Sequence, residues 1–403
     1  MDATRHDAGT PVERAEPFEI HAAGSMLDDL RDRLSRTRWV GSLGSDGWQY
    51  GFDLDYLRAL ARYWRDDFDW RAQESTMNGF AQFRATVGGT RIHFIHERGR
   101  GPHPLPIVLT HGFPDSVFRF AKIIPMLVDP AAHGGDPADA FEVVAPSLPG
   151  YGFSERPDGD GVIFRVGDLW HELMTAVLGF ERFGAHGGDW GSTVTELLAR
   201  DHADAVVGIH LTDVPFFHAF HPPNDPTDAE RKYLEHIAQF GRTQGAYALV
   251  QGAQPHALAA GLNDSPVGLA AWIIEKFRRW SDCHGDVESR FTKDELLANV
   301  TLYWLTGTIN SSFGPYADIA HAGATQWIEE KLKTWRGSVS RANDVPAGFA
   351  MFPKDLSSPP RAWAERFFTV ARWSELPRGG HFAALEEPEL LAHEIREFFR
   401  PFR

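Results

Sequence analysis

The stretch HGGDWGSTV, residues 186–194, places an aspartate, Asp189, between closely spaced glycines. An apolar run precedes it and a helical pattern follows it, so the predicted order is strand, tight turn, helix. The spacing from Gly187 to Gly191 is that of a nucleophile elbow, which projects a strained nucleophile over a sheet. The alternative is a glycine-rich helix N-terminus whose aspartate is stabilised by the helix dipole. As an elbow, the stretch carries a carboxylate where serine is usual.

Two further turns carry groups that such a nucleophile needs. THGFPDS, at 110–116, follows an apolar run, and its turn can aim the backbone N–H of Phe113 into the site. With the N–H of Trp190 it would form an oxyanion hole, the usual pair of donors for this elbow. RGGHF, at 378–382, follows a predicted strand late in the chain. Its order after the nucleophile predicts that His381 is the general base.

The acid that would orient this histidine has two candidates. Asp355, in MFPKDLSSPP, follows a late predicted strand, and Asp213, in HLTDV, ends an earlier one. Either aspartate can equally be a capping or turn residue. The position of Asp355 before the histidine and after a helical interruption favours it, and Asp213 is then expected only to end its strand.

Other short motifs exclude some kinds of site. LPGYGFSERP, at 148–157, lacks the G-x-G-x-x-G spacing, so it predicts a tight loop and no nucleotide. HELMT, at 171–175, lacks the second histidine of a zinc-binding helix. We therefore predict neither a metal nor a cofactor.

The elements that would position these residues follow from the apolar pattern. Short apolar runs alternate with helical stretches after residue 105, which predicts an α/β fold with a buried parallel sheet. The predicted strands are 106–110, 141–146, 182–187, 206–211, 347–352 and 366–372. Between about 214 and 330 the alternation stops, and a capping box from Thr227 to Glu230 leads into helical patterns. This insertion predicts a lid above the carboxyl ends of the strands.

The N-terminal part of the chain has a different organisation. Residues 17–98 combine amphipathic helices, one of them based on Met26, Leu27, Leu30 and Leu34, with a hairpin closed by Gly88-Gly89. The predicted divisions of the chain are a disordered tail (1–16), an N-terminal domain (17–98), the first core part (99–213), the lid (214–330) and the second core part (331–403).

Composition limits the partners and the compartment. A formal net charge of -15 argues against nucleic acid or an anionic membrane as a partner. No run of eighteen apolar residues is present, and the first sixteen residues lack the apolar centre of a signal peptide. Cys283 is the single cysteine, so an intramolecular disulfide is impossible. We expect a cytoplasmic protein.

Taken together, these motifs resemble the microsomal-type epoxide hydrolases, which have the α/β-hydrolase fold. The resemblance spans about residues 17 to 400 and includes that family's own N-terminal domain. The matching blocks include FAQFRATVGGTRIHFIHERG, HGFPDS, SLPGYGFSERP, HGGDWGS, LNDSPVGLAAWIIEKF, LYWLTGTINSS and RGGHFAALEEPELLAHEIREFF. Jointly these blocks are highly specific.

The resemblance implies a role for each site residue. Asp189 matches the nucleophile, His381 the base and Asp355 the acid, while Tyr247 and Tyr316 match two lid tyrosines that protonate the opened ring. Without the resemblance, each tyrosine would be taken for an ordinary lid aromatic residue. The implied reaction forms an alkyl ester on the nucleophile, hydrolyses it with activated water and needs no cofactor.

The sequence departs from the family pattern at three points. The acid is aspartate where mammalian members have glutamate, so its reach is one methylene shorter. Phe113 replaces the usual tryptophan of the His-Gly-Trp-Pro turn, a mild change because the backbone N–H is the functional group. The transmembrane anchor of mammalian members has no counterpart in the sequence, which also favours a soluble enzyme.

Two other functions remain as alternatives. A haloalkane dehalogenase also uses an elbow aspartate, but that family usually has Asn or Glu, not Phe113, after His-Gly. A catalytically inactive small-molecule receptor is the second alternative, and retention of nucleophile, base and acid argues against it. The aromatic lid favours a hydrophobic epoxide substrate, taken up for detoxification or for natural-product biosynthesis. A homodimer is the expected assembly.

Overall fold

A mixed sheet positions the predicted site. The computed structural model describes residues 15–44, 47–220, 222–321 and 343–403. Its strands are β1 (Glu16–Pro17), β2 (Gln82–Val87), β3 (Thr90–Glu97), β4 (Leu105–Thr110), β5 (Phe141–Pro146), β6 (Phe183–Gly187), β7 (Val206–Leu211), β8 (Asn343–Met351) and β9 (Phe368–Glu375). All six strands predicted for the parallel sheet are present, with shifted ends at β8 and β9.

The strand order is β1-β2-β3-β5-β4-β6-β7-β8-β9. The first three pairs in this order, β1–β2, β2–β3 and β3–β5, are antiparallel. The other five pairs, from β5–β4 to β8–β9, are parallel. In the centre, Val108 of β4 lies opposite Val144 of β5 and Ala185 of β6. All three side chains are fully buried because helices cover both faces of the parallel sheet. The carboxyl ends of β4, β6 and β7 therefore meet at one edge.

The helices fall into three groups along the chain. Before the parallel sheet lie α1 (Gly24–Ser35), α2 (Leu54–Asp66) and α3 (Trp70–Met77). Within it lie α4 (Ile124–Val128), α5 (Val166–Glu172) and α6 (Trp190–Asp201). In the described part of the chain after β7 the helices are α7 (Phe217–Phe220), α8 (Asp228–Thr243), α9 (Ala246–Ala253), α10 (Pro255–Leu262), α11 (Pro266–Trp280), α12 (Lys293–Thr306), α13 (Ile309–Ser312), α14 (Gly314–Ala320), α15 (Arg361–Ala364), α16 (Ala383–Glu386) and α17 (Pro388–Phe399).

The N-terminal helices follow their apolar pattern with one exception. Leu27, Leu30 and Leu34 are buried on one side of α1, whereas Met26 is 40% exposed. The prediction that Met26 belongs to the buried face is wrong, because one residue along a helix turns the side chain about 100° away. The predicted hairpin is present: β2 and β3 pair from Gln82 onward and are joined by Gly88-Gly89.

The predicted tail and lid are described only in part. Residues 1–14 lie outside the described residues, and Glu16 already pairs with Arg84 of β2, so strand structure begins before the expected boundary. The capping box at Thr227 and Glu230 is present at the start of α8. Residues 322–342, which include the expected end of the lid, also lie outside the described residues.

The helices between β7 and β8 contact the turn that follows β4. Asn299 of α12 donates a hydrogen bond to the carbonyl of Pro114, and the Tyr303 hydroxyl donates to the carbonyl of Asp115. The α7–α14 group therefore lies over the carboxyl ends of the strands, as a lid would. Within the described ranges, no single helix has the length and apolarity needed to cross a membrane, although α10 and α11, bent by 115°, reach that composition together.

Candidate active site

Asp189 occupies a strained turn between β6 and α6. Its backbone lies at φ 58° and ψ -128°, where residues other than glycine are uncommon. A Cβ added to Gly187 would lie 2.2 Å from the carbonyl oxygen of Gly191, and one added to Gly191 would lie 2.0 Å from that of Thr110. The Asp189 side chain makes no capping hydrogen bond to α6. This is the geometry of an elbow, and it favours the elbow over the alternative of a glycine-rich helix N-terminus.

A backbone N–H group faces one oxygen of this carboxylate. The N–H of Phe113 donates a 2.9 Å hydrogen bond to Asp189 Oδ1. The same oxygen lies so near the backbone that a Cβ on Gly112 would approach it to 2.2 Å. Burial opposes the charge of Asp189, but His381 and the N–H groups of Phe113 and Trp190 outweigh burial and lower the pKa of the carboxyl. The two predicted oxyanion donors thus act on the same group.

A buried ion pair supports the turn that carries Phe113. Asp115 Oδ1 accepts the N–H of Gly112 at 3.2 Å, and Asp115 Oδ2 lies 2.9 Å from Nη1 of Arg119. The other amino group of Arg119 donates to the carbonyl oxygen of His381 at 2.9 Å. Arg119 therefore connects the β4 turn to the loop of the predicted base. Sequence reasoning missed it, because an arginine nine residues beyond a strand is usually solvent-exposed.

The predicted base lies between two carboxylates. His381 Nδ1 is 2.7 Å from Asp355 Oδ1, and its Nε2 is 3.3 Å from Asp189 Oδ2, without hydrogen-bond alignment. The His381 side chain is 3% exposed and that of Asp355 is 2% exposed. Burial lowers the pKa of His381, but Asp355 and Asp189 outweigh it and hold the pKa above its usual range. The three residues predicted from different turns therefore form one contiguous group.

Asp213 lies beside the elbow and has no hydrogen bond to His381. Its Oδ1 accepts the backbone N–H of Asp189 at 3.0 Å and a hydrogen bond from the hydroxyl of Ser192. Burial and the neighbouring Asp355 raise the pKa of Asp213 to about 7. The expectation that Asp213 merely ends a strand is wrong, because its carboxyl group satisfies the peptide N–H of the strained residue. A hydrogen bond from a backbone N–H 24 residues away has no sequence motif, so the sequence does not predict it.

Tyr247 and Tyr316 belong to the lid and lie next to each other. Tyr247 belongs to α9 and Tyr316 to α14, and their ring centroids are 5.7 Å apart. The Phe113 ring contacts both, at centroid distances of 6.4 Å and 5.7 Å. Trp190 packs edge-on against Tyr316 at 5.1 Å, and Trp280 lies 5.1 Å from Tyr247. Aromatic rings from the lid and the core thus pack together beside the elbow.

The environment keeps both hydroxyls protonated. Burial and the charge of Asp189 raise the pKa of Tyr247 above its usual range. Burial, Tyr247 and Asp189 raise the pKa of Tyr316 in the same way. A buried phenol near a carboxylate is a neutral proton donor at physiological pH.

The contacts described above bring all seven predicted site residues into one group: Asp189, His381, Asp355, Tyr247, Tyr316, Phe113 and Trp190.

Family models match most of the chain. The model described as "Epoxide hydrolase N terminus" matches residues 15–120, and the model described as "alpha/beta hydrolase fold" matches residues 106–256. Among solved structures, the juvenile hormone epoxide hydrolase of Bombyx mori aligns with a TM-score of 0.84 at 27% identity, covering 97% of this chain and 96% of that one. The Aspergillus niger epoxide hydrolase aligns with a TM-score of 0.81 at 29% identity, covering 97% of each chain.

Curated relatives agree over nearly the whole length. A protein named putative epoxide hydrolase from Stigmatella aurantiaca is 42% identical, covering 96% of this chain and 85% of that protein. Epoxide hydrolase 1 of Oryctolagus cuniculus is 34% identical, covering 97% of this chain and 90% of that protein. The chain therefore belongs to the microsomal-type epoxide hydrolase family and has the α/β-hydrolase fold that its motifs predict.

Proposed function

We propose that this enzyme hydrolyses a hydrophobic epoxide to a vicinal diol through a covalent ester on Asp189. The observation that carries the proposal is the unequal setting of the two carboxylate oxygens. Oδ1 accepts the N–H of Phe113, whereas Oδ2 faces His381 at 3.3 Å. A carboxylate with one oxygen held and the other available can attack a carbon atom and still be positioned for hydrolysis of the resulting ester.

In the first step, Oδ2 of Asp189 attacks a ring carbon of the epoxide and the ring carbon–oxygen bond breaks. The electron pair of that bond goes to the ring oxygen, which takes a proton from Tyr247 or Tyr316. A phenol, with an ordinary pKa of about 10, can protonate an alkoxide and still be neutral at pH 7. The raised pKa values of both tyrosines favour this resting state.

In the second step, a neutral His381 takes a proton from water as the water oxygen attacks the ester carbon. The N–H groups of Phe113 and Trp190 stabilise the oxyanion at Oδ1. When the tetrahedral intermediate collapses, the bond to Oδ2 breaks and the imidazolium returns the proton to the departing diol. Asp189 is left as a carboxylic acid, and the loss of its proton to the tyrosinate restores both groups for the next cycle. Asp355, 2.7 Å from Nδ1, orients the ring and stabilises its positive charge.

The aromatic enclosure supports a hydrophobic substrate. The rings of five residues pack against one another beside the elbow: Phe113, Trp190, Tyr247, Trp280 and Tyr316. An apolar, aromatic lining of this kind favours a substrate with apolar groups beside the reacting ring over a charged substrate. We therefore propose aryl- or alkyl-substituted epoxides as the substrate class.

Formation of diol from styrene oxide tests the proposal and the roles of the tyrosines together. Tyr247→Phe and Tyr316→Phe should each slow ring opening by about 10- to 10³-fold, because each removes a positioned acid. Rapid-mixing measurement of Asp189 alkylation reports this step directly. Normal alkylation rates in both variants would reduce the tyrosines to packing residues. Halide release from chlorinated alkanes would instead support dehalogenase chemistry, and the absence of any turnover would support a receptor.

The two steps should respond differently to pH. Ester formation neutralises Asp189, which is one of the charges that raise the pKa of His381, while Asp355 remains. The pKa of His381 should therefore fall on alkylation, so ester hydrolysis should rise with pH to a plateau at a lower pH than the titration of His381 in the free enzyme. Because the pKa of Asp189 is lowered, kcat/KM should be flat across neutral pH. Single-turnover rates and NMR titration of the histidine measure both values, and the reverse order would contradict the proposal.

A further inference from the structure

A buried carboxylate holds the backbone on both sides of the proposed base. Glu386, at the end of α16, is 8% exposed. Its Oε2 accepts the N–H of Gly380 at 3.1 Å, and its Oε1 accepts the N–H of Phe382 at 2.9 Å. These two residues flank His381 directly. One side chain therefore fixes the peptide groups immediately before and after the histidine.

The same carboxylate also ties this loop to the end of the lid helix α11. Oε2 of Glu386 accepts a third hydrogen bond, from the N–H of Asp282 at 2.7 Å. The N–H of His381 donates to the carbonyl of Trp280 at 2.9 Å, and the N–H of Gly379 donates to Asp282 Oδ2 at 3.1 Å. Residues 280–282 and 379–382 are thus two segments of backbone joined through Glu386.

The charge of Glu386 is balanced differently from that of nearby carboxylates. Glu387 forms ion pairs with Arg290 and Arg378, and Glu394 forms one with Arg372. The hydrogen bonds of Glu386 come from backbone N–H groups. Burial raises its pKa to about 7, against the effect of those donors. Glu386 has no ion-pair partner among the described residues. A buried carboxyl group without such a partner is costly to keep, so its contribution lies in the backbone geometry that it holds.

We infer that Glu386 is a positioning residue for the base, holding His381 against Asp189 and joining the base loop to residues 280–282 of the lid. The inference rests on the proposed role of His381 in ester hydrolysis. It assigns Glu386 no contact with substrate. Its effect passes through the backbone to the direction of the imidazole, where a displacement of about 1 Å can cost about 10²-fold in rate.

Glu386→Gln is a selective test because an amide cannot reproduce this arrangement. One carboxylate oxygen accepts one N–H and the other accepts two, so either orientation of glutamine turns an NH₂ group toward at least one backbone donor. Glu394→Gln is the matched control. Glu394 is also buried and hydrogen-bonded, but its partners are Arg372 and Ser374 on β9.

The expected signature is a change in ester hydrolysis with little change in ester formation. In a two-step reaction through an ester, slowing hydrolysis lowers kcat and KM together and leaves kcat/KM unchanged. Glu386→Gln should slow hydrolysis by about 10- to 10²-fold and accumulate ester on Asp189. Glu394→Gln should lower thermal stability, but the ratio of the rates of ester formation and ester hydrolysis should stay at its wild-type value. Glu386→Asp, which keeps the charge with a shorter reach, should give a smaller change of the same kind.

Each outcome bears on the inference. Equal slowing of both steps in Glu386→Gln, or no slowing, would overturn it, and if that variant does not fold the same criteria apply to Glu386→Asp. His381→Gln, measured alongside, separates the two proposals. If it accumulates ester on Asp189 while the Glu386 variants hydrolyse ester normally, only the positioning role fails. If it forms no ester, the proposed mechanism fails as well.

Discussion

His381→Gln should trap the enzyme as an ester on Asp189. Glutamine cannot take the proton of the attacking water, so hydrolysis of the ester should fall by about 10⁴-fold or more, the scale of loss when a member of such a triad is removed. Ring opening depends on Asp189 and the two tyrosines and should remain near the wild-type rate. Mass spectrometry of the protein after one turnover, with peptide mapping, should find the mass of the epoxide on Asp189.

A matched control is available in another buried histidine. His218 is 4% exposed and its Nε2 lies 3.0 Å from Glu196, so His218→Gln also breaks a buried histidine–carboxylate pair. That variant should lose stability and still hydrolyse the ester. Normal steady-state turnover in His381→Gln, or an adduct on a residue other than Asp189, would contradict the proposed mechanism.

Asp355→Asn should give the second-largest loss. An amide at this position can hold the imidazole in the wrong tautomer and cannot stabilise its positive charge, so ester hydrolysis should fall by about 10³- to 10⁴-fold. Ester formation should persist, because His381 is not consumed in that step. Single-turnover kinetics, with separate measurement of ester formation and diol release, resolve the two rates.

Asp213→Asn is the control for this experiment. Asparagine keeps an acceptor oxygen for the N–H of Asp189 and the hydroxyl of Ser192, so hydrolysis should stay within about tenfold of wild type. The raised pKa of Asp213 also means that a neutral group is tolerated there. A large hydrolysis defect in Asp213→Asn with little defect in Asp355→Asn would exchange the roles of the two aspartates.

Much of the fold is predictable because the signals are local. The central parallel strands, β4 to β7, are mainly apolar runs, since both faces of the sheet are covered, and such runs are visible without any knowledge of their partners. β1, in contrast, has two residues, Glu16 and Pro17, and depends on pairing with β2. No local pattern predicts it. Met26 shows the same limit, because an apolar residue next to a buried stripe is not necessarily part of it.

The parts of the candidate site that form short motifs of neighbouring residues are predictable from the sequence. The glycines around Asp189 and His381 mark turns in which backbone segments approach closely, and the order of the turns along the chain suggests roles. The supporting contacts join residues far apart in the sequence. Arg119 reaches the carbonyl of His381, and Glu386 reaches Asp282. Neither contact has a fixed spacing, so both emerge only when the sheet brings the loops together.

The hydrogen bond from Phe113 to Asp189 also determines where the atoms of the product originate. With Oδ1 held by that N–H, Oδ2 is the oxygen that bonds to the substrate in the proposed mechanism. Cleavage at the carboxyl carbon then sends Oδ2 away with the diol, and the oxygen of water takes its place in Asp189. In each catalytic cycle one carboxylate oxygen of Asp189 therefore leaves in the product, and an oxygen atom from water replaces it.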